Sequence, residues 1–233
     1  MSRARASAPR LFEQMLTSRE RKTISRLKDP PRIQEFLDGI PYSTDDFYRC
    51  PLRVLRDRVA HCFDGALYAA AALRLIGFPP LVIDMLPNDR DDEHLLAVFK
   101  MDDHWGAVGK SNYVGLRYRE PVYRSLRELM MSYFEQYYNV EGEKTLRAYT
   151  RPVDLTAFDE LMWMTSDEHL EKVAKRLDEI QRVSVLTQAM IARLSLVDQR
   201  SYQAGLLGAN PSGLYQAHSK AKEKSSLLRL PGA

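Results

Sequence analysis

The chain has 233 residues, 45% of them apolar, and 34 basic against 31 acidic side chains for a formal charge of +3. That length allows one large domain or a core with an appendage, and charges so evenly interspersed make no broad field to recruit nucleic acid or a membrane surface. Two cysteines, Cys50 and Cys62, are too few for a disulfide framework and suit a reducing compartment, and no apolar run nears the roughly 18 residues of a bilayer span.

Residues 1–10 are basic and small, a flexible lead with no apolar core behind it, so cytoplasmic residence is the expectation. Residues 11–28 carry Leu11, Met15 and Ile24 on a narrow apolar face and read as a helix that Asp29-Pro30-Pro31 stops. A short helix over 32–37, a turn-rich link over 39–46 and a helix opened by Pro51 follow. The next stretch, RVAHCFDGALYAAAALRLIG over 58–77, repeats Ala66, Ala69, Ala70, Leu73 and Ile76 at spacings of three and four with few polar residues between them. It predicts a helix buried on most sides, ended by Gly77, with Cys62 at its first turn.

LVIDML then reads as a buried strand, PNDRDDE as a loop, and His94 opens a second strand, LLAVFKM. Asp102-Asp103 turns the chain into a third strand, WGAVGKSNYV, and GLRYREP makes a fourth, closed by Pro121. One helix followed by consecutive strands predicts an α+β fold with an antiparallel sheet. Beyond it, helices are expected over 125–138, 155–164 and 166–186, with weaker ones around Ile191 and Tyr202. The predicted organisation is a core with N-terminal helices over 11–150, a helical C-terminal extension over 151–210 and a mobile basic tail over 211–233.

Thiol catalysis needs a thiolate, a base, a group that orients the base, and donors for the oxyanion. Cys62 supplies the first, at a helix N-terminus that favours negative charge. Among the five histidines His94 is the candidate base, because it begins the strand that follows the helix and can meet the helix mouth. A turn centred near Asp103 pairs residues whose numbers sum to about 206, which sets Asn112 opposite His94 as the orienting amide; a two-residue turn shifts that partner to Ser111. The backbone N–H of Cys62 is the first oxyanion donor, and the sequence names no second. Cys50 reads as a buried small residue. Cys62, His61, His94 and the Asp89, Asp91, Asp92 cluster hold metal-type donors, but no CxxC or HxxxH spacing occurs, so neither a metal nor a cofactor is expected.

HCFDGALYAAAALRLIGFPPLVIDM, with His94 in EHLLAVF and Trp105 in HWGAVG, resembles the transglutaminase-like superfamily of papain-type cysteine enzymes. In that superfamily a cysteine opens a buried helix, a Gly-x-Pro exit (here Gly77-Phe78-Pro79) leads into a strand, a histidine opens the next strand, and an acid or amide lies on the strand after. The resemblance covers about a quarter of the chain. It implies attack of a cysteine on a peptide or protein amide, with the acyl group passed to water or to an amine acceptor. The chain departs at Gly109, where an aspartate is usual about four residues beyond the strand tryptophan. With Asn112 in that role the set would be cysteine, histidine and asparagine, as in papain-like proteases. The alternative is an inactive interaction domain that keeps the core as scaffold and binds through its 166–186 helix.

Overall fold

A computed structural model of the chain describes residues 7–216. The expected lead and tail fall largely outside the described residues, apart from Ala8 to Arg10, which begin the first helix, and a short 3-10 turn over Pro211–Gly213. The helices are α1 (Ala8–Met15), α2 (Ser18–Ile24), α3 (Pro30–Asp38), α4 (Pro51–Asp57), α5 (Cys62–Leu75), α6 (Leu126–Met131), α7 (Leu170–Glu179), α8 (Gln188–Ile191) and α9 (Gln199–Gly205). The strands are β1 (Leu81–Pro87), β2 (His94–Met101), β3 (His104–Val108), β4 (Arg119–Tyr123), β5 (Leu146–Thr150), β6 (Val153–Asp154) and β7 (Arg182–Ser184). None of the described helices is long and apolar enough to cross a membrane.

The fold is α+β. Seven antiparallel strands form one sheet in the order β4-β3-β2-β1-β5-β7, with β6 also pairing β1. Side chains alternate across it. Val82, Leu95, Ala97, Phe99 and Val108 face α5, while Ile83, Met85, Leu96, Val98 and Ala107 face a second layer made by α6 with Tyr133, Phe134 and Tyr137. The alanines of α5 let it lie close to the sheet, and Ala66, Leu67, Ala69, Ala70 and Leu73 have no exposed surface at all.

Several elements differ from their predicted extents. The helix expected over 11–28 is two, because Thr17 and Glu20 form a capping box that starts α2 afresh. The helix expected over 125–138 stops at Met131, where the Ser132 hydroxyl bonds back to the Leu129 carbonyl at 2.6 Å. The helix expected over 166–186 begins only at Leu170, since Asp167 is drawn to α4, accepting from the Cys50 N–H at 2.7 Å and from Arg53 at 2.6 Å. It ends at Glu179 because Arg182, Val183 and Ser184 pair with β5. Residues 151–210 are therefore not all helical, and two of their strands, β6 and β7, belong to the core sheet.

The hairpin between β2 and β3 is a two-residue turn. Asp102 and Asp103 both take positive φ, 45° and 63°, and Met101 pairs with His104. The ladder runs from there to Ala97↔Val108 and stops, so the register is one residue short of the one that set Asn112 opposite His94.

Candidate functional site

The mouth of α5 is closed by an unexpected cap. His61 is the N-cap residue, and its Nδ1 accepts from the backbone N–H of Phe63 at 3.2 Å and of Asp64 at 3.4 Å, while Asp64 answers the His61 N–H at 3.4 Å. These helix-start donors thus serve the cap rather than the Cys62 sulfur. Asp64 is fully buried and also accepts from the Arg49 N–H at 2.7 Å.

The Cys62 sulfur is closely surrounded, although the residue keeps some exposed surface in the cleft. Sγ lies 3.8 Å from the Glu93 carbonyl and meets the N–H of Leu95, so it sits against the β2 backbone on both sides of residue 94. Burial, then the negative charge of Asp92, pushes the thiol up to about 12. The expected depression of the thiol is reversed, because the sulfur is buried and the carboxylates of Asp92, Asp84 and Asp64 add to that effect, while the cap uses the helix-start donors.

His94 belongs to the sheet face of Met85, with which it pairs, and is buried, so its ring lies on the side of the sheet away from α5 and its partner is Leu116 rather than the Cys62 sulfur. Its Nε2 is 2.7 Å from the Leu116 carbonyl. A carbonyl only accepts, so Nε2 carries the proton and the lone pair is on Nδ1. Burial holds the imidazole down to about 4, and it is neutral near pH 7.

Asn112 is positioned for something else. Its Nδ2 donates to the Asn210 carbonyl at 2.8 Å and its Oδ1 accepts from the Asn210 N–H at 2.7 Å. The group holding the His94 ring is the main chain of Leu116, not Asn112. Ser111, the other candidate, accepts from the Tyr113 N–H at 3.0 Å. Gly109 lies beside the histidine: a Cβ there would be 3.7 Å from Nε2 and only 2.4 Å from Leu96 Cδ2, so the space that an acid would need is filled by leucine.

Tyr42, which no motif marks, completes the surroundings. Its phenol lies near Cys62, and burial together with the neighbouring thiol and Asp92 raises it well above the usual phenol range, so it keeps its proton. Both face a cleft of about 750 Å³ whose floor includes Asp84 and Glu93 and whose wall includes Ser212, Gly213 and Leu214. Among the described residues no group of three or more His, Cys, Asp or Glu is placed to hold a metal ion.

No protein-family model and no curated sequence matches the chain. Solved structures that resemble it include Legionella pneumophila LapG, at 18% identity and a TM-score of 0.34 over 45% of this chain and 73% of that one. The EGTA-treated form of the same protein aligns at 17% identity and 0.33 over 46% and 70%, and its calcium-bound form at 17% and 0.33 over 45% and 70%.

Proposed function

We propose that the protein is a transglutaminase-like thiol amidase or acyltransferase in which Cys62 attacks an amide carbonyl and His94 is the base. The observation that carries the reading is the seat of Sγ against the backbone of residue 94, with the ring of that residue held by Leu116 so that Nδ1 is its basic nitrogen. Thiol and imidazole are both neutral at rest, so the proton must leave Sγ as the sulfur adds to the carbonyl, and Nδ1 can take it only when the start of β2 brings the His94 ring round from the sheet face away from α5. The tetrahedral oxyanion then forms beside the Cys62 N–H, and the Tyr42 hydroxyl is the second donor that the sequence left unnamed. His94 next gives its proton to the leaving amine, and water or an amine takes the acyl group from sulfur. Peptide or protein amides are the substrate class, and the mechanism calls on no cofactor.

The inactive-scaffold reading has one observation in its favour, the thiol held near 12. A p-nitrophenyl acetate burst separates the two. The enzyme reading expects about one equivalent of p-nitrophenol per chain, abolished in Cys62→Ala, slowed roughly 100-fold in His94→Ala and reduced about 10-fold or more in Tyr42→Phe. A burst that is absent, or indifferent to His94→Ala, would leave the scaffold.

A further inference from the structure

The cleft at Cys62 is lined by six carboxylic side chains, Asp45, Asp46, Asp84, Asp92, Glu93 and Asp178, and by no lysine or arginine among the described residues. In a chain whose net charge is positive, this is a local inversion of sign. Part of it is answered from outside the lining. Arg49 pairs with Asp45, as well as with Asp57 and Asp64, and the charge of Arg182 on β7 reaches Glu93. Asp84 is different. It projects from β1 on the α5 side, opposite Leu95, and is 5% exposed. Its Oδ1 is buried and meets no N–H or hydroxyl donor. Its carboxyl neighbour is that of Glu93: burial first and then Glu93 raise Asp84, whereas Glu93 is raised by burial and by Asp178 and lowered by its bond with Asp84, so Asp84 is the member of the pair that holds a proton.

A buried carboxyl oxygen without a donor, set beside the more exposed carboxyl of Glu93, is costly and ceases to be so when a charged donor enters. Glu93 also contributes the carbonyl against which the Cys62 sulfur rests, and Asp84 lines the same cleft, so the pair shares it with the nucleophile. We propose that Asp84 and Glu93 form a specificity pocket for a basic side chain, the guanidinium of arginine or the ammonium of lysine, carried by a peptide next to the carbonyl that Cys62 attacks. This assignment rests on the thiol-enzyme reading and narrows its substrate to basic peptides. Asp92 and Asp178 add long-range attraction without being the docking pair.

The test compares alkylation of Cys62 by acetyl-arginyl, acetyl-lysyl and acetyl-citrullinyl chloromethyl ketones, located by intact mass and peptide mapping. Citrulline has the shape of arginine without its charge. The pocket predicts that at least one charged reagent reacts about tenfold or more faster than citrulline. The ratio of the arginyl to the lysyl rate says which head group the pair prefers. In Glu93→Gln the ratio of the charged to the citrullinyl rate should fall toward one, a ratio taken within the variant so that any change in the reactivity of the thiol itself cancels, and Asp84→Asn should do the same provided that its thermal midpoint shows it folded. Equal rates for the charged and neutral reagents in the native protein overturn the pocket, as does an advantage that survives Glu93→Gln. Failure of the thiol-enzyme reading looks different, because it slows all the reagents alike and leaves their ratio readable.

Discussion

His61 holds the helix start as serine or aspartate usually does, and it can do so only as the neutral imidazole, because both bonds to its Nδ1 come from N–H donors. Burial first, and the nearby charge of Arg49 second, takes it from 6.5 to about 4. With the folded value below the unfolded one, the unfolded chain takes up the proton first as pH falls. The stability associated with His61 is complete above about 6.5 and is lost down to about 4, on the order of 3 kcal/mol at about 1.4 kcal/mol per pH unit. His94 acts over the same window with the same sign. Asp64, raised by burial to about 7, has the opposite sign and loses stability as pH rises from its ordinary 3.8. The raw pH curve therefore mixes these groups, and a variant isolates the cap. His61→Asn keeps an accepting cap without a titration, so between pH 7 and 4.5 the native protein should lose about 2 to 3 kcal/mol relative to the variant in urea unfolding. Parallel curves for the two proteins would show that His61 is not held neutral.

At the scale of elements, the distance from α5 to the neighbouring chain is set at Gly65. A Cβ there would lie 2.2 Å from the Cβ of Lys110, whose Nζ in turn donates to the Leu37 carbonyl at 2.8 Å, at the end of α3, and also to the Ile40 carbonyl. Alanine is the better helix former by about 1 kcal/mol, yet Gly65→Ala should destabilise by roughly 1 to 3 kcal/mol, because helix and chain must separate to admit one methyl. Thermal denaturation checks the sign, and a rise in midpoint would refute the close approach. The burial of α5, its start at Cys62 and the strands at His94 and Leu81 were all legible, since periodic alanine and leucine and runs of β-branched residues report burial directly. What was not legible depended on partners far off in sequence. The start of α7 is set by Asp167 bonding to Arg53 and Cys50, and β7 exists because β5 offers it an edge. The orienting group at His94 is a main-chain carbonyl, and every residue has one, so no side chain could advertise Leu116.

Across the whole molecule, the C-terminal part of the described chain is tied back onto the cleft. Tyr138 donates to the Ser201 carbonyl at 3.0 Å, Tyr202 to the Val140 carbonyl at 2.8 Å, and Asn210 Nδ2 to the Tyr42 carbonyl at 3.4 Å. Gly213 rests against the Tyr42 ring, where a Cβ would be 2.9 Å from Cδ1, and residues 212–214 form a wall of the cleft that holds Cys62. Asn112 is the anchor of this strap through its two bonds to Asn210. Asn112→Ala removes both and should weaken the local attachment by about 2 kcal/mol, seen as faster amide exchange over residues 208–214 with α5 unchanged. The same variant decides between the two roles considered for this residue. An amide that orients His94 would, when removed, slow the p-nitrophenyl acetate burst. An amide that fastens the strap would, when removed, loosen the cleft wall and speed alkylation of Cys62 by iodoacetamide while the burst persists. The hydrogen bonds of Asn112 favour the second outcome, since both ends of its amide already have partners on the strap while the imidazole has its own on Leu116.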